Sequence, residues 1–138
     1  MQELVKFHKE FSSYEFTTTV YTKGRFSAKQ GLIINITSPN DHLGGLGIGV
    51  PYIRSNGNES ANCSSFSFPS HRDGELAGKI AQIVAKYTRR YTLVILGMTL
   101  PQLSVSRLHD LTRFFEDWFR DICQKLVNGA FLRSDTGE

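Results

Sequence analysis

The chain is poor in cysteine and has no long apolar run. Its two cysteines, Cys63 and Cys123, lie far apart and form no Cys-x-x-Cys or other metal-ligand spacing. Both are expected as reduced thiols serving as small core residues. No stretch approaches the ~20 apolar residues of a membrane span. Met1 to Phe11 mixes charged and apolar residues without an apolar run of signal-peptide length. A soluble, cytoplasmic protein with no membrane partner is the expectation. Excess charge is scarce too: 16 Lys+Arg against 13 Asp+Glu leave +3, scattered along the chain. Nucleic-acid binders concentrate their cations in a patch or stripe, so no nucleic-acid partner is expected. There is no repeat, no low-complexity tract and no Gly-x-Ser-x-Gly elbow, and no catalytic residue is assigned.

What is present suits one packed domain over residues 1–138, with its core in about 14–127. The 138 residues are 40% hydrophobic and include ten Phe, enough to build a core at this length. Residues 1–13 read as an N-terminal amphipathic helix, with Leu4, Val5, Phe7 and Phe11 as its apolar side. Tyr14–Tyr21, rich in Thr, Val and aromatics, reads as a strand. Lys23-Gly24-Arg25 marks a turn, and a second strand follows over Gln30–Thr37. Ser38-Pro39-Asn40-Asp41 is a turn signal. Leu43–Ile53 and Ser60–Phe68 read as strands joined through Asn56-Gly57, a hairpin signature.

Then the period changes. Leu76, Ile80, Ile83, Val84 and Tyr87 fall on one helical stripe, which Arg89-Arg90 ends. Tyr91–Met98 is a continuous apolar run that fits a central strand covered on both faces. Leu108, Leu111, Phe115, Trp118, Ile122 and Leu126 stripe a longer helix, with Glu116 and Arg120 at i, i+4 on its polar side. Asn128-Gly129 stops it, and residues 133–138 form a frayed polar tail. The order β-β-β-β-α-β-α predicts an α+β fold, with helices packed on a mostly antiparallel or mixed sheet.

Two segments stand out chemically. In Asp41-His42-Leu43-Gly44-Gly45-Leu46-Gly47-Ile48-Gly49, strand alternation puts Gly45, Gly47 and Gly49 on one face, bare of side chains. That face is either a flat trough for a planar ring or phosphate, or the seat of a closely packed helix or sheet. The second segment, Ser70-His71-Arg72-Asp73, precedes the first striped helix. Ser70 is a candidate N-cap, and the free N–H groups of a helix start attract an anion such as phosphate, with Arg72 as a forked partner. An ordinary capped helix with solvated His71 and Arg72 fits the same residues. His42, His71 and Asp73 together would make a mixed N/O metal site. His8 and His109 look uninvolved.

These segments resemble the LpdD-like family of prenylated-flavin chaperones, which accompany UbiD-type hydroxyarylic acid decarboxylases. The resemblance rests on His42–Gly45, on Pro69–Ala77 and on the apolar strand ending in Gly97-Met98, and it spans residues 14–126. It implies a non-catalytic handler of prenylated FMN, or FMN, as bound cargo, with a bridging metal ion as an added option. It implies a decarboxylase catalytic subunit and a flavin prenyltransferase as partners, with hydroxylated benzoates as the assisted enzyme's substrates. His42, Gly44, Gly45, Ser70, His71, Arg72 and Asp73 carry over as cofactor-binding positions, and Gly47 and Thr99 complete the candidate set. Family members often read Gly-Ile-His followed by Asp after the apolar strand. Here Thr99 replaces the imidazole and Pro101 the carboxylate, and Thr99 is a poor metal ligand. The cargo is large for this domain, so a homodimer is expected, with the site at or near its interface. Two other readings remain: a structural accessory subunit without cofactor, and a small metal-dependent enzyme.

Overall fold

The computed structural model describes residues 1–23, 30–39, 41–68, 73–98 and 104–129. Eight elements follow in order: β1 (Gln2–Phe11), β2 (Tyr14–Lys23), β3 (Gly31–Thr37), β4 (Gly45–Ile53), β5 (Glu59–Ser67), α1 (Asp73–Thr88), β6 (Thr92–Leu96) and α2 (Val105–Asn128). The strands form one six-stranded sheet in the order β1-β2-β3-β6-β4-β5. Only the β3–β6 pair is parallel, so the α+β expectation with a mixed sheet holds. Lys23 ends β2, while Gly24 and Arg25 of the expected turn and the tail 133–138 lie outside the described residues.

The N-terminal segment departs from expectation. Gln2–Phe11 is a strand, not a helix, and pairs antiparallel with β2. Ser12 and Ser13 take φ of 48° and 71°. Two successive left-handed residues make the tight turn whose twist matches a hairpin. Val5, Phe7 and Phe11 then lie on the side facing α2. The Phe11 ring meets Phe114 at 5.2 Å between centroids, and the Arg107 guanidinium sits 4.8 Å over Phe11.

Alternation builds the core. Phe16 and Val20 of β2, Leu32, Ile34 and Ile36 of β3, and Val94 and Leu96 of β6 are buried in one cluster with both helices. α1 contributes Leu76, Ala77, Ile80, Ala81 and Val84, and α2 contributes Leu111, Phe115, Trp118, Phe119, Ile122 and Leu126. Burying a side chain the size of Ile80 contributes roughly 1.5–3 kcal/mol. Both helices therefore lie on one face of the sheet. β6 enters last between β3 and β4, the central position its apolar run predicts, but helices cover only one of its faces, and Leu93 and Ile95 on the other are half-buried. Arg120 of α2 pairs with Asp117, at 3.5 Å, in place of the expected Glu116.

The hairpin through Asn56-Gly57 forms as expected, with Gly57 at φ +88°. Arg89, also left-handed at φ 60°, ends α1 and ties it to the hairpin. Its guanidinium donates to the Ser60 and Tyr52 carbonyls at 3.0 and 3.2 Å. Arg90 is buried and donates to the Gln30 carbonyl at 3.3 Å. Both arginines are therefore engaged in holding the fold.

One cysteine expectation changes. Cys123 is buried in the core, but Cys63 is exposed on the edge strand β5. Burial pushes the Cys123 thiol up to about 12, so almost no thiolate exists near neutral pH. A thiol-reactive dye at pH 8 should therefore titrate one thiol in the native protein and two after denaturation. Two fast-reacting native thiols would contradict the packing around Cys123.

Candidate functional site

The end of β6, the segment entering β4, the end of β5 and the start of α1 converge at one corner. Glycines allow the approach. A Cβ on Gly97 would overlap the His42 carbonyl, and one on Gly44 would overlap the Asp73 carboxylate. The Gly44 N–H donates to the Leu96 carbonyl at 3.1 Å, and the Phe68 N–H donates to the Gly44 carbonyl at 2.9 Å. Ser38 Oγ donates to the Gly97 carbonyl at 3.0 Å.

Asp73 is the centre of this corner. It is only 9% exposed. Its Oδ2 accepts the Met98 N–H at 3.2 Å and lies 3.8 Å from His42 Nε2. The structure thus brings together His42 and Asp73, which are far apart in sequence. Ser70, His71, Arg72 and Thr99 lie outside the described residues. Among the described residues no group of three His, Cys, Asp or Glu could hold a metal ion. His71, the third ligand of the expected metal site, lies outside those residues.

The glycine face resolves toward packing. Gly45, Gly47 and Gly49 are buried beneath α1, where Cβ atoms would overlap Gly74 N and the carbonyls of Ala77 and Ala81. The helix fills the trough that a planar ring would need, so the open-trough reading is corrected. The partner surface is small as well, since α1 presents Gly74, Ala77, Gly78 and Ala81 along this contact. The helix start is also partly engaged. The Gly74 N–H donates to Ser67 Oγ at 3.0 Å, and Asp73 and Glu75 occupy the first turn. Carboxylates there already complement the positive end of the helix dipole.

Next to this corner a groove of about 390 Å³ opens between α1 and α2. Leu76, Met98, Leu108 and Leu111 supply its apolar wall, and His109 and Thr112 its polar edge. His109 had looked uninvolved. Its helix carries the 3.6-residue signal that places Leu108, His109, Leu111 and Thr112, but only the pairing of α1 with α2 makes that stretch a wall.

The protein-family comparison matches residues 18–127 to the prenylated flavin chaperone LpdD-like domain. No curated protein matches the chain. Among solved structures the chain is similar to one described as the crystal structure of a novel chaperone complex for yeast 20S proteasome assembly. That similarity has a TM-score of 0.55 at 16% identity, over 91% of this chain and 98% of the other. At that identity the likeness concerns the fold alone.

Proposed function

The chain belongs to the prenylated flavin chaperone LpdD-like family, and from that premise we propose that it binds prenylated FMN as cargo for a UbiD-type aromatic acid decarboxylase. In this reading it handles the cofactor and catalyses no reaction itself. The cargo passes to, or matures in, the decarboxylase catalytic subunit, and a flavin prenyltransferase is the source. The protein works in the cytoplasm, as one domain over residues 1–138. The observation that carries the reading is the family match across most of the chain. The meeting of His42, Asp73 and the Met98 N–H beside a groove supports it. Concave, mostly apolar sites with a few convergent polar groups are where ligands of this size bind.

Within this reading the protein is a homodimer joined through the sheet face that carries no helix. Ile48 and Val50 of β4 and Phe66 of β5 are 48%, 40% and 56% exposed there. Ile33, Leu93, Ile95 and Leu46 share that face by alternation and registry. Asn35, Asn62 and Ser64 lie among them, and no Lys, Arg, Asp or Glu points from these central positions. A two-fold contact sets one surface against its own copy, so an uncharged apolar patch is self-compatible where a charged one would repel itself.

Anaerobic mixing with reduced prenylated FMN should give a complex of one cargo per chain and a changed absorption spectrum. Native mass spectrometry should read that complex at the mass of two chains. No complex at micromolar concentrations overturns the cargo reading. A complex seen only at the mass of one chain overturns the dimer and leaves the cargo intact. Stable capture of the decarboxylase with no flavin retained would favour a structural accessory subunit.

A further inference from the structure

The space between α1 and α2 changes character along its length. At one end is the groove of about 390 Å³ with its wall of Leu76, Met98, Leu108 and Leu111. Leu108 is 45% exposed, an apolar side chain without cover. Asp73 and Glu75 also border this end. Further along, a second hollow of about 400 Å³ is bordered by Arg54, Lys79, Lys86 and Arg120, against a single acid, Glu116. Lys79 lines both hollows. On the helices the first is bordered by residues 73–79 and 108–112 and the second by 79–87 and 116–120, so the hollows follow one another along α1 and α2; Met98 closes the first, and Arg54, Ser60 and Ala61 of the β4–β5 hairpin also border the second.

The groove therefore has polarity. Its apolar end carries carboxylates that repel an anion, and its far end carries four cations that attract one. An elongated ligand with a large, uncharged ring system and a terminal phosphate matches that gradient in one orientation only. We propose that the α1–α2 groove seats the flavin cargo, with the ring system against Leu76, Met98, Leu108 and Leu111 and the phosphate toward Lys79, Lys86 and Arg120. This rests on the cargo reading above and gives it a location. Leu76 to Ile83 covers about 10 Å along the helix axis, a span that a ribityl phosphate chain can bridge. The first hollow alone lies within the range of small-molecule pockets, roughly 300–1,000 Å³. The glycine face cannot serve instead, since α1 fills it. The groove lies in the helix layer, on the opposite side of the sheet from the proposed dimer contact, so this placement departs from the expected site at the dimer interface. Each dimer then offers two seats that a decarboxylase can reach without separating the chains.

Anaerobic titration of the full chain with reduced prenylated FMN tests this, using Leu108→Glu, Lys79→Glu and Arg113→Glu. Leu108 and Lys79 are exposed, so these variants should fold, which circular dichroism checks. Arg113 is exposed on α2 and borders neither hollow, and its substitution makes the same charge change as Lys79→Glu. Leu108→Glu and Lys79→Glu should each weaken binding tenfold or more, and Arg113→Glu should leave it within twofold. Inorganic phosphate should compete with the cargo in the wild type and less so in Lys79→Glu. Wild-type binding with all three variants unchanged overturns the groove and leaves the cargo reading standing. Equal weakening by Lys79→Glu and Arg113→Glu assigns the effect to net charge and also overturns the groove. A wild type that binds no flavin overturns the cargo reading and the groove with it.

Discussion

Gly47→Ala is expected to lower the melting temperature by roughly 10 °C or more, equivalent to about 3 kcal/mol or more. The reason is where the new atom would go. A Cβ on Gly47 would overlap the Ala77 carbonyl and crowd Gly78 N at 2.5 Å. Both neighbours are backbone atoms of a helix, so no side chain can rotate aside. Relief requires α1 to move off β4, and α1 also carries Ile80 and Val84 into the core. Overpacking usually costs about 1–3 kcal/mol where side chains can adjust, so this site belongs at or beyond that upper end. Gly57 supplies the control. It has φ +88° and nothing within 4 Å of its added Cβ. Gly57→Ala should therefore lose only the left-handed backbone penalty, about 1–2 kcal/mol. Thermal unfolding followed by circular dichroism separates the two. Equal losses would mean that β4 and α1 are not in backbone contact.

The same contact shows how far the sequence can be read. Both helices, the central β6 and the Asn56-Gly57 hairpin were legible because each rests on local period or turn chemistry. β1 was not, for two reasons. A register shift between Glu3 and Val5 interrupts its alternation, so Leu4 and Val5 look like neighbours on a helical stripe. Its turn uses Ser12-Ser13 in left-handed geometry, without the Asn or Gly that would signal it. The glycine face was legible as a feature but not as a function. The discriminating sign lies about thirty residues away, in the small residues Gly74, Ala77, Gly78 and Ala81 that repeat at helical spacing. Two matching bare stripes, one at strand period and one at helix period, indicate backbone packing more than a ligand trough. The meeting of His42 with Asp73 and the α1–α2 groove depend on which elements become neighbours. No local pattern carries that information.

Phe115→Ala is expected to destabilise each chain by about 3–5 kcal/mol, independent of protein concentration. Phe115 is fully buried at the junction of α2 and the sheet. Its ring meets Phe16 of β2 edge-on at 5.0 Å and Phe114 at 5.1 Å, with Trp118 at 6.0 Å. Alanine would leave a cavity bounded by rings on two layers, and rigid rings collapse poorly into empty space. Phe66→Ala provides the contrast, since Phe66 also meets another ring, Phe68, edge-on at 5.1 Å, yet is 56% exposed. In a lone chain that truncation should change stability by well under 1 kcal/mol, the ordinary range for surface substitutions. In a dimer joined through the helix-free face, Phe66 is an interface residue, and its loss should appear as a lower melting point at low concentration. Thermal scans of the two variants over a hundredfold range of concentration therefore measure different things. A large, concentration-independent loss for Phe115→Ala identifies the aromatic junction as what holds the helix layer to the sheet. A loss below 1 kcal/mol there would contradict the packing of α2, and a concentration-independent Phe66→Ala would remove Phe66 from any contact between chains.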